Sequence, residues 1–347
     1  MKKNLNIQGL RAIFAMMVFW GHAFGALKTS WYEPLYHTPV HLFWDGAISV
    51  VCFFVLSGWF YYNVGGGNIT SYVRLLMKRT YKIVLPYWIA LLFGALLWGM
   101  YDHFGVEHSD SATDWFSGFW NGNVTFGKIF HDALIFSRGY KSPDYIIPSS
   151  WYLETDLKMM FFIPVFVYLF RRFGWYWVIL PIIPAILNIS IFPIAFPFLV
   201  GAIYHHNKNV IDIFLRNRLW LKIMIFVASV VCLDVKNLRV VDFSKESSYY
   251  FLLSQIQAVG AGMLICLVAS MNESKALANK IMVFIGEISY EFYIVHMVVL
   301  LALEPFFVNP YPFIIVSLFL SLFLSVLLRR IVALMTRSAD KMVKSLF

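Results

Sequence analysis

Long apolar runs separated by short polar gaps dominate this chain. Most of the runs have roughly the 17 to 25 residues that an α-helix needs to cross about 30 Å of hydrocarbon. Within hydrocarbon only helices and closed barrels satisfy their own backbone hydrogen bonds, so the pattern predicts an all-α integral membrane protein. The ten predicted spans cover residues 9–27, 42–62, 83–101, 151–170, 174–188, 191–205, 219–234, 248–270, 282–302 and 311–328.

The fifth, sixth and seventh of these spans are shorter than the others. Four prolines fall in the fifth and sixth spans, namely Pro181, Pro184, Pro193 and Pro197. Proline lacks a backbone N–H, and its ring clashes with the preceding helical turn. Kinked or broken helices are therefore predicted there.

The distribution of basic residues predicts the orientation of the spans. With the N-terminus in the cytoplasm, most of the 28 Lys and Arg residues fall in inner segments. The outer segments then hold only Lys28, Lys128, Arg138, Lys141, Lys236, Arg239 and Lys245. Because cytoplasmic loops of membrane proteins carry an excess of Lys and Arg, ten spans with both termini in the cytoplasm are predicted.

Composition agrees with a membrane location. Hydrophobic residues make up 60% of the chain and charged residues 14%, which leaves no soluble surface large enough for 347 residues. The net charge of +9 follows topology, so membrane lipids rather than nucleic acid are the expected partners. Cys52, Cys232 and Cys266 lie in apolar runs without metal-ligand spacing, and we interpret them as packing residues with no metal site.

One long polar stretch, residues about 102–150, is the sizeable non-membrane segment. It mixes acids and amides with aromatic residues such as Trp115 and Trp120. Loops of this length are usually functional, and this mixture suits a sugar site, although an ordinary solvated cap gives the same pattern. We find no internal repeat and no stretch of soluble-domain character, so a single membrane domain over residues 1–347 is expected.

Eight of the ionisable residues inside predicted spans are candidates for a buried functional role. Each costs at least ~2.5–3.5 kcal/mol on insertion scales, so each needs a partner or a water-filled cavity. They are Arg11 and His22 in the first span, Glu154, Asp156 and Lys158 in the fourth, and Glu287, Glu291 and His296 in the ninth.

Arg11 and His22 share one stripe of the first span. They are eleven residues apart, about three helical turns, which separates them by roughly 16 Å in height. In the predicted orientation Arg11 lies at the cytosolic mouth and His22 in the outer half of the bilayer. One interpretation is a polar track through the membrane. Alternatively, the Arg11 side chain extends to the headgroups, and His22 is a core histidine with its hydrogen bonds satisfied.

Depth brings further residues to the level of His22. Counted along their helices, His22, Glu154 and His296 all fall in the outer third of the membrane. A histidine and a carboxylate at one depth are the parts of a general base and the group that orients it. A structural pair of Glu154 with Lys158 at i+4, and interhelical hydrogen bonding by His296, remain alternatives.

Cytosolic basic residues supply a candidate phosphate site. Lys78, Arg79 and Lys82 flank the third span on its cytosolic side, where a phosphate-rich ligand could dock. Any inner loop is basic, however, so this cluster also fits the topology alone.

Five short motifs occur in order along most of the chain. They are Gly9-Leu10-Arg11-Ala12 with His22, Phe53-Phe54-Val55-Leu56-Ser57-Gly58, Ser150-Trp151-Tyr152-Leu153-Glu154, Phe198-Leu199-Val200-Gly201, and Ile288-Ser289-Tyr290 leading to His296. With these motifs the sequence resembles the bacterial acyltransferase 3 family, multispanning enzymes that O-acylate surface glycans.

The resemblance implies an O-acyltransferase of the bacterial inner membrane. Its donor would be a cytosolic acyl-CoA, most often acetyl-CoA, used as a co-substrate with no permanently bound cofactor. Its acceptor would be a hydroxyl of an extracytoplasmic or lipid-linked glycan such as lipopolysaccharide O-antigen. Onto this chain it carries catalytic roles for His22 and Glu154, donor binding for Arg11 and Arg79, and acceptor binding or support for His296, Tyr290, Ser57 and Trp151.

Two alternatives stay open at this point. His22 can act as a general base for direct transfer, or it can itself be acylated transiently. The same buried charges would also serve a membrane transporter or a ligand-binding sensor of the same fold without glycan acylation.

Overall fold

The computed structural model describes residues 4–62, 69–135, 145–174, 192–237 and 248–346. Their regular structure is helical, and one isolated β-bridge joins Leu27 to Ala112. The α-helices are α1 (Leu5–Ala26), α2 (Tyr32–Tyr36), α3 (Gly46–Tyr61), α4 (Ile69–Phe104), α5 (Asp114–Ser117), α6 (Phe126–Ala133), α7 (Trp151–Phe173), α8 (Phe192–His206), α9 (Lys208–Leu215), α10 (Leu219–Asp234), α11 (Ser248–Ser270), α12 (Lys280–Glu287), α13 (Ser289–Leu303) and α14 (Pro310–Leu346).

Five of these segments are long and apolar enough to cross a membrane. They are Leu5–Ala26, Tyr72–Phe104, Leu252–Ser270, Ser289–Phe306 and Pro310–Arg337. The all-α membrane class is thereby confirmed for the described residues. The count of ten spans and the cytoplasmic location of both termini remain predictions.

Several predicted boundaries coincide with the helices. The seventh and eighth spans, 219–234 and 248–270, have the bounds of α10 and α11, and the fourth span lies within α7. The third and tenth spans form the interiors of the longer helices α4 and α14. The fifth span, 174–188, falls almost wholly outside the described residues.

The second span is shorter than predicted because a capping residue starts the helix late. A 3₁₀ turn covers Pro39–Trp44, and Asp45 then caps α3, its Oδ1 accepting the N–H groups of Ala47 and Ile48 at 2.9 and 3.1 Å. An N-terminal side-chain acceptor satisfies donors that the first helical turn leaves unpaired. The resulting 16-residue helix is about 24 Å long.

The ninth predicted span is not a single helix, which corrects the prediction. The chain breaks at Ile288, where φ is −93° and ψ is 6°, so 282–302 is divided between α12 and α13. Gly286 stands just before the break. A Cβ there would lie 1.9 Å from the carbonyl oxygen of Gln8, so this close backbone approach requires glycine. The end of α12 is thus packed closely against the backbone of α1 beside the break.

The chain forms two compact units, each built from three segments. The first comprises Met1–Phe14, His37–Val73 and Lys158–Glu287. Glycines of two of the motifs bring its helices α3 and α8 into backbone contact. A Cβ at Gly58 would lie 1.8 Å from Phe198 O, and one at Gly201 would lie 1.9 Å from Val55 O. Small residues at a helix interface permit this close approach.

The second unit comprises Ala15–Tyr36, Arg74–Leu157 and Ile288–Phe347. Its centre is α13, which is buried from Phe292 to Leu301. Apolar all round, this helix packs against α14 and, through Val298, against Gly94 of α4.

The described parts of the long polar segment, residues 102–135 and 145–150, belong to the second unit and are joined by backbone-directed hydrogen bonds. The indole of Trp120 donates to Ile146 O at 2.9 Å, and the buried Asp132 accepts the N–H of Ile146 at 2.8 Å. Tyr87 of α4 in turn donates to Asp132 O at 3.0 Å. The bond from Tyr87 holds the segment to α4, the helix that precedes it.

Candidate active site

Two histidines from the predicted site meet in the second unit. His22 lies near the end of α1 and His296 in the middle of α13. One helical turn before each histidine is a phenylalanine, and the rings of Phe19 and Phe292 are 5.7 Å apart. This apolar contact packs the two helices together and sets the histidines at one level.

The imidazoles of His22 and His296 are joined by a direct hydrogen bond. Nδ1 of His22 is 2.8 Å from Nε2 of His296, and the ring planes differ by 9°. His296 is fully buried, whereas His22 is half-buried. The bond requires one of the two facing nitrogens to be unprotonated, so the pair carries at most one positive charge.

The backbone carbonyl of Phe292 shows which of the two histidines donates in this hydrogen bond. Nδ1 of His296 lies 3.2 Å from Phe292 O, which can only accept, so that nitrogen carries a hydrogen. In neutral His296 the Nε2 atom is then an acceptor, and His22 donates to it from Nδ1. Neutral His22 is left with a lone pair on Nε2. Among the residues that the structure describes, this nitrogen makes no hydrogen bond, as a proton acceptor for a bound hydroxyl requires.

Trp115 covers the ring of His22, with centroids 5.9 Å apart and planes at 22°. Thr113 holds this tryptophan in place. Its hydroxyl donates to Gly25 O at 2.7 Å and caps α5 by accepting from Phe116 N, while its own N–H donates to Ala26 O. In the sequence, Trp115 is one of several aromatic residues of the polar loop. Nothing in the local pattern indicates its position over His22.

Arg79 and Asp156 form an ion pair within the second unit. Nη2 of Arg79 lies 3.2 Å from Oδ2 of Asp156, whose side chain is 5% exposed. The free-energy cost of burying the charged carboxylate of Asp156 is thereby offset by its ion pair with Arg79. Asp156 carried no assigned role, although its place inside an apolar run marked it as unusual.

Glu154 is also buried, in the first turn of α7. It is two residues from Asp156, and residues so spaced do not share a helix face. The two carboxylates therefore leave α7 on different sides. A carboxylate at a helix N-terminus is stabilised by the helix dipole. The orienting role predicted for Glu154 stays a prediction.

Two tyrosines anchor the helix that carries His296. Tyr290 donates to Ile83 O of α4 at 2.6 Å. Tyr293 donates to Ser149 O at 2.8 Å, and the hydroxyl of Ser149 donates back to Tyr293 O at 3.3 Å. Tyr290 thus supports the position of α13, and a part in acceptor binding stays a prediction. Trp151, half-buried at the start of α7, follows the turn that Tyr293 anchors.

Two further predicted residues belong to the first unit. Arg11 is half-buried in the N-terminal part of α1, and Ser57 is buried on α3 beside Gly58. Their predicted roles in donor binding and in acceptor binding or support stay predictions. Within the described ranges, no group of three or more His, Cys, Asp or Glu residues is placed to hold a metal ion.

Comparisons with known proteins identify the family to which this chain belongs. The model of the acyltransferase 3 family, which describes an acyltransferase domain, matches residues 4–330 of this chain. Neither the curated proteins nor the solved structures yielded a match. The family match spans both helices of the histidine pair and all five motifs. The chain therefore belongs to the acyltransferase 3 family and is a membrane acyltransferase.

Proposed function

We propose that this acyltransferase moves an acyl group, most often acetyl, from cytosolic acyl-CoA to a hydroxyl of an extracytoplasmic surface polysaccharide such as lipopolysaccharide O-antigen. It would act in a bacterial inner membrane, with both termini in the cytoplasm. The observation that carries the proposal is the hydrogen-bonded pair of His22 and His296, whose direction leaves a lone pair on Nε2 of His22.

The chemistry requires one proton to be moved twice. Nε2 of His22 takes the proton of the sugar hydroxyl as its oxygen attacks the thioester carbonyl carbon. The tetrahedral intermediate collapses by breaking the C–S bond, and His22 returns the proton to the sulfur of the departing CoA. During the reaction His296 accepts the hydrogen bond from the imidazolium of His22 and holds the ring in one orientation.

Other predicted residues would divide the remaining tasks. Glu154 would stabilise the imidazolium electrostatically, as a buried carboxylate can. Arg11 and Arg79 would bind the phosphates of CoA, because a guanidinium binds phosphate in a bidentate way. The bond from Arg79 to Asp156 would keep that guanidinium in place between cycles. Tyr290, Ser57 and Trp151 would bind or support the acceptor, and His296 would support it through its hold on His22.

The decisive test compares surface polysaccharide from the source strain after deletion of the gene and complementation with variants. The complementing chains are the wild type, His22→Ala, Arg11→Ala and the control His103→Ala, which alters an exposed histidine outside the site. O-acyl groups are measured by proton NMR and mass spectrometry, at matched membrane levels of each chain.

We expect acylation with the wild type and with His103→Ala, and its loss with His22→Ala and Arg11→Ala. Polysaccharide that stays unmodified with the wild type would overturn the glycan as acceptor. The two routes for His22 separate when the acceptor is omitted. An acylated histidine releases a stoichiometric burst of CoA, whereas direct transfer releases none.

A further inference from the structure

A cavity of about 420 Å³ opens in the second unit, beside the end of α13. Its walls come from the end of α4, the following turn, the residues after α5 and Leu301 of α13. This volume falls within the range of about 300–1,000 Å³ typical of small-molecule sites. The side chains that decide its chemistry are Trp98, Asp102, Glu107, His108, Trp120 and Asn121.

The aromatic walls of this cavity are rigid. The rings of Trp98 and Trp120 lie parallel, with centroids 6.0 Å apart and planes at 5°. Their N–H groups are satisfied within the protein, by Gly122 O and Ile146 O, each at 2.9 Å. Trp120 also has a φ of +51°, a strained value for a bulky residue that its packing must maintain. A preformed wall loses little entropy when a ligand binds.

A buried ion pair fixes one further wall. His108 lies between two acceptors: its Nδ1 is 2.6 Å from the carboxylate of Glu304 and its Nε2 is 2.9 Å from Phe119 O. Glu304 is fully buried and also accepts the N–H of Ser109 at 3.0 Å. A neutral imidazole has one N–H, so two acceptor partners favour the doubly protonated, positively charged ring.

The polar groups at the rim are not used by the protein. In the part of the chain that the structure describes, the side chains of Asp102, Glu107 and Asn121 form no hydrogen bond or ion pair. Two carboxylates offer only acceptors, and an amide offers both donors and an acceptor. A ligand that matches them carries several hydroxyl groups and has apolar C–H faces for the tryptophan walls.

Two positive charges disfavour a cationic ligand. The ammonium of Lys128 lies 4.2 Å from the centre of the Trp98 ring and takes up the position that a ligand cation would occupy. The charged ring of His108 forms another part of the lining. A neutral, hydroxyl-rich ligand fits this balance of charges better.

Continuous contacts connect the cavity to the histidine pair. Trp115, which covers His22, contacts Phe119 edge to face at 5.3 Å, and Phe119 O accepts from His108 in the cavity wall. Along α13, Leu301 of the lining is five residues beyond His296, a rise of about 7.5 Å. Five residues also turn the helix by about 140°, so Leu301 and His296 lie on different faces of α13. The cavity is connected to the reacting centre through packed side chains of the second unit.

We propose that this cavity is a saccharide subsite, which binds a sugar unit of the acceptor other than the one that is acylated. The inference rests on the proposed function, since it assigns the acceptor's binding position. Asp102, Glu107 and Asn121 would bind the hydroxyl groups of the sugar. They act on binding of the acceptor and not on the acyl-transfer step.

The test uses purified full-length protein and oligosaccharides cut from the strain's own surface polysaccharide after mild alkaline removal of O-acyl groups. Transfer from radiolabelled acetyl-CoA yields kcat and KM, and isothermal titration measures oligosaccharide binding without donor. The lining variants are Asp102→Asn, Glu107→Gln and Asn121→Ala. The matched controls Asp110→Asn and Asn123→Ala alter exposed residues that are not part of the lining.

Each lining variant should raise the KM for oligosaccharide about tenfold, the effect of one lost hydrogen bond to a charged or amide group. The KM for acetyl-CoA and the kcat should change less than about twofold, and both controls should match the wild type. An unchanged acceptor KM in all three lining variants, with an active wild type, refutes the subsite and leaves the proposed function intact. A third outcome is that the wild type binds oligosaccharide without transferring acetyl to it and the lining variants bind it more weakly. That outcome supports the subsite and refutes acylation of that glycan. An absence of both binding and transfer overturns both.

Discussion

Nδ1 of His22 lies 2.8 Å from Nε2 of His296, and the second nitrogen of His296 faces a backbone carbonyl. The candidate base is therefore oriented by a neutral histidine, which is itself oriented by its own helix. A carboxylate partner would bury a net charge in the membrane, whereas a second imidazole holds the first without that cost.

Removal of the orienting histidine should reduce kcat more than it affects substrate binding. We expect His296→Ala to lower kcat about 10²-fold or more, because His22 loses its tautomer and ring orientation. His296→Gln should recover part of this loss, since its amide oxygen can accept from Nδ1 of His22. Steady-state transfer kinetics at matched protein levels measure both effects. Equal kcat values for the two variants would contradict an orienting role.

Variants of the ion pair between Arg79 and Asp156 can distinguish an effect on stability from an effect on donor binding. Asp156→Asn leaves a mostly buried guanidinium without its carboxylate, so the melting temperature in detergent should fall by several degrees. The exchange Arg79→Asp with Asp156→Arg should recover much of the stability. It should still raise the KM for acetyl-CoA about tenfold or more, because the cation has moved to another helix.

Arg330→Ala is the control for this experiment, since it removes an exposed arginine of the same unit. A donor KM that returns to the wild-type value in the exchanged variant would show that Arg79 acts only in folding.

The contact of His108 with Glu304 makes stability depend on pH. The hydrogen bond to Glu304 raises the pKa of His108 above its ordinary value of 6.5. A raised pKa means that the folded state holds this proton more tightly than the unfolded state. The stabilisation is complete below about pH 6.5 and is lost as pH rises through the higher pKa of the folded state.

Melting temperatures from pH 5.5 to 9 should therefore fall with rising pH, on the order of a few degrees from this source. The variant His108→Gln should lose this component of the slope. Parallel curves for the wild type and the variant would contradict the assignment.

The contact between α3 and α8 should not tolerate a side chain at Gly58. A Cβ there would lie 1.8 Å from the backbone oxygen of Phe198, which cannot move aside alone. Gly58→Ala should therefore sharply reduce the yield of monodisperse protein in fluorescence-detected size-exclusion chromatography, as severe overpacking does. Gly127→Ala should not, because its Cβ would meet only Thr125 Oγ1 at 3.9 Å. Wild-type yield from Gly58→Ala would show that the helices do not pack this closely.

Buried ionisable residues were the part of the candidate site that the sequence could indicate. His22 and His296 stand out because a polar side chain in an apolar span is costly, and counting along the helices places them at similar depth. Trp115, His108 and Glu304 gave no such signal as a group. Trp115 and His108 lie in a polar loop, where aromatic and charged residues cost little, and Glu304 lies at the end of a span.

Some helix boundaries could likewise be predicted from the sequence, and others could not. The bounds of α10 and α11 follow from the apolar pattern, because the hydrocarbon limits the length of such a run. The break at Ile288 does not follow from it, since the residues on both sides continue a helical pattern. Beside the break, Gly286 approaches the backbone near Gln8, a contact that the apolar pattern does not record.

By itself the sequence determined that this is a helical membrane protein with costly polar residues at a few defined positions. Hydrocarbon imposes those requirements on any chain, whatever the arrangement of its helices. Only the tertiary structure decided that His22 contacts His296, 274 residues away, and which imidazole nitrogen remains available for a proton. Such relationships depend on how helices distant in the chain pack and rotate against each other, and hydrophobic periodicity records which face is apolar but not which residue it meets.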